Sequence, residues 1–231
     1  KDGSFHSEQV LQEALLKAKT EGRRLHLMGL VSKGGVHSQQ EHLHELVSAA
    51  QNAGVEDVVI HAFTDGRDTL PKLASGFISE LEVHINGTSA RIATVHGRYY
   101  AMDRDMRMER IAKSWNLLCK DASNHEAPEF SSAVGGIESS YSEGVTDEFI
   151  IPFRVSGVDG QIRTGDVVLC FNFRTDRCRQ ISSALTQKPF EEQGLNPLDV
   201  HYVTMTNYDE NFEGVHVIYD KPNLVMTLGE V

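Results

Sequence analysis

Five short apolar runs recur along the chain: LHLMGLV (25–31), DVVIHAF (57–63), RIATVHG (91–97), DVVLCFNF (166–173) and HYVTMTN (201–207). They are continuous rather than alternating. A strand with one wet face alternates apolar and polar residues, so these runs predict strands covered on both faces. Helical patterns fall between them. SEQVLQEALLKAKTEG (7–22) offers Ser7 as N-cap and closes near Gly22. SQQEHLHELVSAAQNAG (38–54) repeats that grammar, with Ser38 as cap, Glu41 three residues on as in a capping box, and Gly54 as stop. Further helices are predicted over 73–84, 103–120 and 175–187. Strand and helix therefore alternate. The expected fold class is α/β: a mostly parallel sheet sandwiched by helices in three layers.

The segment 124–165 breaks this rhythm. It carries Gly135-Gly136, Val158-Asp159-Gly160 and a strand-like EFIIPFRV (148–155). A peripheral excursion containing a hairpin is expected there.

Charge narrows the partners. The chain has 231 residues, with 22 Lys+Arg against 33 Asp+Glu, a net charge of −11. Nucleic acid or an anionic membrane needs a basic face, so neither suits as main partner. No apolar run approaches the roughly 20 residues of a membrane span. Cys119, Cys170 and Cys178 are odd in number and form no CxxC pair. That argues against a disulfide framework or a zinc site and for a reducing, cytoplasmic setting. KDGSFHSEQ at the start does not read as a secretory signal. The chain begins without Met and stops at MTLGEV, so a piece of a longer protein is expected.

Against that acidic background, GRYYAMDRDMRMER (97–110) holds Arg98, Arg104, Arg107 and Arg110. Three other charged clusters occupy equivalent places. SKGGVHS (32–38) follows the first strand, TDGRD (64–68) the second, HGRYYAMDRD (96–105) the third and RTDR (174–177) the fourth. Each is a strand-to-helix junction. In a parallel sheet such junctions share the carboxyl edge, where ligands bind. Arg67, Arg98, Arg104, Arg174 and Arg177 are thus expected to converge, and guanidinium forks suit phosphate and carboxylate oxygens. Gly34-Gly35, Gly66 and Gly97 allow sharp turns or close backbone approach. His37, beside the glycine turn, is placed to hydrogen-bond a phosphate or hydroxyl. Asp68 and Asp103 suit orienting arginines or handling a proton. Singly, Arg–Asp pairs on loops are ordinary surface features; the shared edge is what points to a site.

Other motifs carry less. There is no G-x-x-x-x-G-K-[ST] and no well-placed G-x-G-x-x-G. His37, Glu41 and His44 are spaced i, i+4, i+7, but no HExxH is present and no metal site is expected. His61 and His96 read as structural, Trp115 as core, and Met102, Met106 and Met108 as helix core or edge. Tyr99 and Tyr100 are expected to pack at the rim.

LMGLVSKGGVHS, HAFTDGRDT, GRYYAMDRD, FNFRTDRCRQ and the closing TLGEV, in this order, resemble cofactor-independent (2,3-bisphosphoglycerate-independent) phosphoglycerate mutase. The resemblance runs from about Gly3 to Val231. It implies two domains: an alkaline-phosphatase-like one with two manganese ions and a transiently phosphorylated serine, and an inserted α/β domain that binds phosphoglycerate. This chain resembles the inserted domain alone, 1–231, so no metal or other cofactor is expected within it. The resemblance assigns substrate binding to His37, Arg67, Asp68, Arg98, Arg104, Arg174 and Arg177. Asp68 also becomes the catalytic proton acceptor and donor for the glycerate hydroxyls. Arg107 and Arg110 are unmatched and are expected to solvate their helix. The implied partners are 2- and 3-phosphoglycerate and the phosphatase-like domain of the same polypeptide, in a monomer. Hinges are expected near residues 1–3 and 228–231, and the isolated chain is expected to catalyse nothing. One departure stands out: many members read SDGGVHS, where this chain has Lys33. A non-catalytic module binding phosphorylated metabolites is the alternative reading.

Overall fold

The computed structural model describes residues 4–121 and 127–220. The expected hinges and the closing TLGEV lie outside the described residues. The five apolar runs become strands of one sheet: β1 (Leu25–Leu30), β2 (Val58–Thr64), β3 (Ala90–Gly97), β6 (Val167–Cys170) and β7 (His201–Thr206). Short β4 (Glu129–Phe130) and β5 (Phe153–Val155) and a further strand, β8 (Val215–Tyr219), complete it. The order is β4-β5-β3-β2-β1-β6-β7-β8. All pairings are parallel except β3 with β5. Every residue of β1 and β2 is buried, which is why neither shows alternation.

Two cores sit on opposite faces. One packs α1 (Gln9–Thr20), α2 (Gln40–Ala53), α3 (Ala74–Ile85) and α6 (Ala133–Ser142) through residues such as Leu15, Leu46, Leu81 and Ile137. The other packs α4 (Arg98–Ala101), α5 (Met108–Cys119) and α7 (Arg179–Thr186) through Ala101, Ile111, Trp115 and Ile181. This is the expected three-layer sandwich.

Four local expectations fail. Ser38 does not cap α2, because its hydroxyl donates to the Leu30 carbonyl; Gln39 holds the cap position. Ser7 lies in a single 3₁₀ turn, and Glu8 precedes α1. The helix expected over 103–120 is interrupted. Asp103 accepts the backbone N–H groups of Asp105 (2.9 Å) and Arg107 (3.0 Å), closing a turn that delays α5 to Met108. The excursion holds no hairpin, since β4 and β5 pair in parallel across helix α6. Gly136 lies inside that helix as a contact surface, not a turn: a Cβ there would stand 2.4 Å from Phe153 Cζ.

Candidate anion-binding site

Strands β3, β2, β1 and β6 are consecutive neighbours, so the four loops leaving their carboxyl ends are neighbours too. The loop after β1 brings His37, the one after β2 brings Arg67 and Asp68, and those after β3 and β6 bring Arg98, Arg104, Arg174 and Arg177. Gly66, at φ 68°, gives the second loop its sharp turn, and a Cβ would meet the Glu148 nitrogen at 2.8 Å.

The loops are tied by charge. Arg98 Nη1 donates to Asp65 Oδ1 at 2.5 Å and to Asp68 Oδ2 at 2.7 Å. His37 Nε2 lies 3.8 Å from Asp68 Oδ2, and His37 Nδ1 lies 3.6 Å from Asp176 Oδ1. The His37 carbonyl accepts the backbone N–H of Phe173 at 2.8 Å, fastening the first loop to the fourth. Asp176 pairs with Arg104 at 2.8 Å and with Arg174 at 3.1 Å. Arg177 donates to the Met102 carbonyl at 3.3 Å. Arg67 lies toward solvent and pairs with Glu148 at 3.3 Å. All the sequence-expected site residues therefore stand on one rim.

The electrostatics follow from this crowding. Burial, with Arg98 nearby, lowers the His37 pKa to about 4 against the pull of Asp176 and Asp68, so the imidazole is neutral near pH 7. Burial also lowers Arg177, reinforced by Arg98, Arg104 and Arg67; it nonetheless stays charged. Burial opposes ionisation of Asp176, but the Arg104 hydrogen bond and the Arg174 and Arg104 charges hold its pKa below the usual value. Among the described residues, His37 Nδ1, Arg98 Nε, Arg177 Nε and Asp176 Oδ1 are buried with no hydrogen-bond partner. Buried polar atoms are seldom left so, but others, such as Ser114 Oγ, Asn116 Oδ1 and His201 Nε2, lie away from these loops, so the convergence of the arginines is what marks the rim.

Other candidates fall away. Asp103 is buried under Arg110, which pairs with it at 3.0 Å and stacks on Tyr99 at 3.9 Å. Arg110 is therefore a structural brace rather than a solvated helix charge. Met106 is exposed, not core, at the turn before α5. His44 stacks on His84 at 4.2 Å, away from His37. Among the described residues no three His, Cys, Asp or Glu side chains are grouped to hold a metal ion. Asp65, Asp176 and Glu148 were not anticipated. Asp65 and Asp176 lie inside the quoted TDGRD and RTDR motifs, which is a usable signal. Glu148 comes from the excursion and leaves none.

The family model described as "BPG-independent PGAM N-terminus" matches residues 1–210. The chain belongs to this family. Relatives named 2,3-bisphosphoglycerate-independent phosphoglycerate mutase agree with it. The one from Flavobacterium psychrophilum is 47% identical over 232 residues, covering 99% of this chain and 45% of the relative. That from Bacteroides fragilis is 43% identical, covering 100% and 45%. That from Staphylococcus aureus is 40% identical, with the same coverage. A solved Leishmania mexicana phosphoglycerate mutase, studied at low cobalt concentration, superposes with a TM-score of 0.82 at 30% identity. That match covers 98% of this chain and 43% of the other. This BPG-independent PGAM N-terminus thus spans under half the length of the relatives it matches. No helix among its described residues is long and apolar enough to cross a membrane.

Proposed function

We propose that this chain is the substrate-binding domain, inserted in a larger phosphatase-like polypeptide, of a 2,3-bisphosphoglycerate-independent phosphoglycerate mutase. It serves glycolysis and gluconeogenesis in the cytoplasm. The observation that carries this reading is the convergence of five arginines from neighbouring loops on one rim. Arg98, Arg104, Arg174 and Arg177 hold the phosphate and carboxylate of 2- or 3-phosphoglycerate, and Arg67 closes the outer side. Neutral His37 gives or takes one hydrogen bond. Asp68, beside both Arg98 and His37, handles the proton of the glycerate hydroxyl that gains or loses the phosphoryl group. By holding glycerate between the two transfers, the rim lets it turn so that the phosphoryl group returns to its other hydroxyl.

The serine that carries the phosphoryl group and the two manganese ions belong, on this reading, to the phosphatase-like remainder. When bound there, the metal supplies stabilisation of phosphoryl charge. The described residues of this chain offer no cluster that fits it, so no step here runs through it. Titration calorimetry of the chain with 3-phosphoglycerate tests the proposal. Arg177→Ala is expected to weaken binding by about tenfold; unchanged affinity overturns the site, and mutase turnover by this chain alone overturns the division of labour.

A further inference from the structure

Four of the five rim arginines are already paired with carboxylates. Glu148 meets Arg67, and Asp65 with Asp68 meets Arg98. Asp176 is different because it serves two arginines from different loops. Its Oδ2 lies 2.8 Å from Arg104 Nη1 and its Oδ1 3.1 Å from Arg174 Nε. The same Oδ1 is 3.6 Å from His37 Nδ1, on a third loop.

We propose that Asp176 is a resident counter-anion, which holds Arg104 and Arg174 in place at the pocket and is exchanged for the ligand's own anionic groups. This rests on the anion-binding reading above and goes one step beyond it. The geometry shows a contact suited to exchange. Asp176 Oδ1 is shielded from solvent yet accepts no hydrogen bond among the described residues, so Arg174 holds it by charge without alignment. Aligned, bidentate guanidinium pairs are the strong ones; a phosphate or carboxylate of better geometry can displace this one.

Arg177 supplies a cation that Asp176 does not clasp. Among the described residues no carboxylate lies within ion-pair distance of it, and its guanidinium touches the Met102 carbonyl instead. An incoming anion can take Arg177 without displacing a carboxylate, and competes with Asp176 for Arg104 and Arg174. A small inorganic anion can take one of the two clasped arginines and leave Asp176 on the other. A ligand with two separated anionic groups can take both. Asp176 therefore biases the pocket toward organic phosphates that carry a second anionic group.

The test measures inorganic phosphate binding by calorimetry to the chain, to Asp176→Asn and to Glu21→Gln. Glu21 follows α1, pairs with Lys17 and precedes β1, at the opposite edge of the sheet, so its variant makes the same charge change away from the rim. Asp176→Asn is expected to bind phosphate at least about fivefold tighter, and to gain less for 3-phosphoglycerate. Glu21→Gln is expected to stay within about twofold. Phosphate affinity that is unchanged or weaker in Asp176→Asn, or an equal gain in Glu21→Gln, overturns the counter-anion role. A second measurement needs no variant. In the chain crystallised with phosphate, at least one of the Asp176–Arg104 and Asp176–Arg174 pairs should open beyond about 4 Å, and both pairs intact beside bound phosphate overturn the role. Failure of 3-phosphoglycerate to bind the unaltered chain overturns the substrate reading instead.

Discussion

Arg98 and Asp65 meet in the interior, their side chains only 2% and 1% exposed, with Nη1 and Oδ1 2.5 Å apart. The Ser32 hydroxyl donates to the other Asp65 oxygen at 2.6 Å, and the Arg67 and Asp68 backbone N–H groups reach Oδ1 at 3.2 and 3.0 Å. One carboxylate thus joins the loops that follow β1, β2 and β3. Removing it leaves the buried guanidinium with Asp68 alone and strands two backbone donors. Asp65→Ala should cost about 3 kcal/mol, the range found when one partner of a buried pair is deleted. Urea denaturation checks this, and a loss below about 1 kcal/mol would mean the pair behaves as a surface contact.

A second buried network predicts acid lability. Asp166 Oδ2 lies 3.3 Å from His26 Nε2, His26 Nδ1 2.9 Å from His61 Nε2, and His61 Nδ1 2.7 Å from Thr94 Oγ1. Thr94 Oγ1 is also 2.7 Å from His96 Nε2. With Asp166 ionised, His26 donates to it, His61 donates to His26, Thr94 donates to His61, and His96 donates to Thr94. All three rings are then neutral, and burial lowers each pKa, that of His96 to about 3. In the unfolded chain they titrate near 6.5. Between these values the unfolded state binds more protons, so stability is full above about pH 6.5 and falls as pH drops. Urea melts at pH 7.5, 6 and 5 should show that decline, and His96→Gln should make it shallower. A flat profile in both proteins would sink the assignment.

The strands and the four clustered loops were legible because both follow from local rules: burial on two faces leaves continuous apolar runs, and parallel strands bring their ends together. What stayed hidden depends on contacts between distant segments. Ser38 reads as a cap until the Leu30 carbonyl claims its hydroxyl. Gly135 and Gly136 read as a turn until Phe153 packs on the helix that contains them. Asp103 turns its own backbone and so splits a helix whose apolar spacing reads as continuous. Glu148 meets Arg67 from a distant segment, beside Asp147, whose N–H donates to the Pro71 carbonyl at 2.9 Å.

Lys33 is the residue at which SKGGVHS departs from the expected motif, and its ammonium is taken up by Glu80 on α3 at 2.7 and 2.8 Å. The pair is exposed, and Lys33 makes no ion pair with the rim carboxylates among the described residues. Exposed pairs contribute little. Lys33→Asp should therefore leave phosphate affinity within about twofold, measured by calorimetry. A tenfold change, on the order of one lost charge-assisted contact, would place this turn inside the binding site.

Asp147 is wholly buried, and three donors meet it: Leu73 N–H at 2.9 Å, Ala74 N–H at 3.0 Å and the Tyr141 hydroxyl. The first two are free amides at the start of α3, so a side chain from the excursion caps a helix from the second loop. Burial raises the carboxyl pKa against the pull of those donors. Tyr141→Phe deletes one donor and leaves the shape, so the carboxylate keeps its burial and loses part of its compensation. The expected loss is about 2 kcal/mol, the cost of under-satisfying a buried charged acceptor. The Asp147 pKa should rise further, readable by carbon-13 NMR of the carboxyl. Since Thr64 Oγ1 also donates to the Asp147 carbonyl at 2.7 Å, loosening should spread to the Arg67 loop first. Faster amide exchange at Arg67 and Asp68 than at Arg174 would show that order, and uniform exchange would refute it.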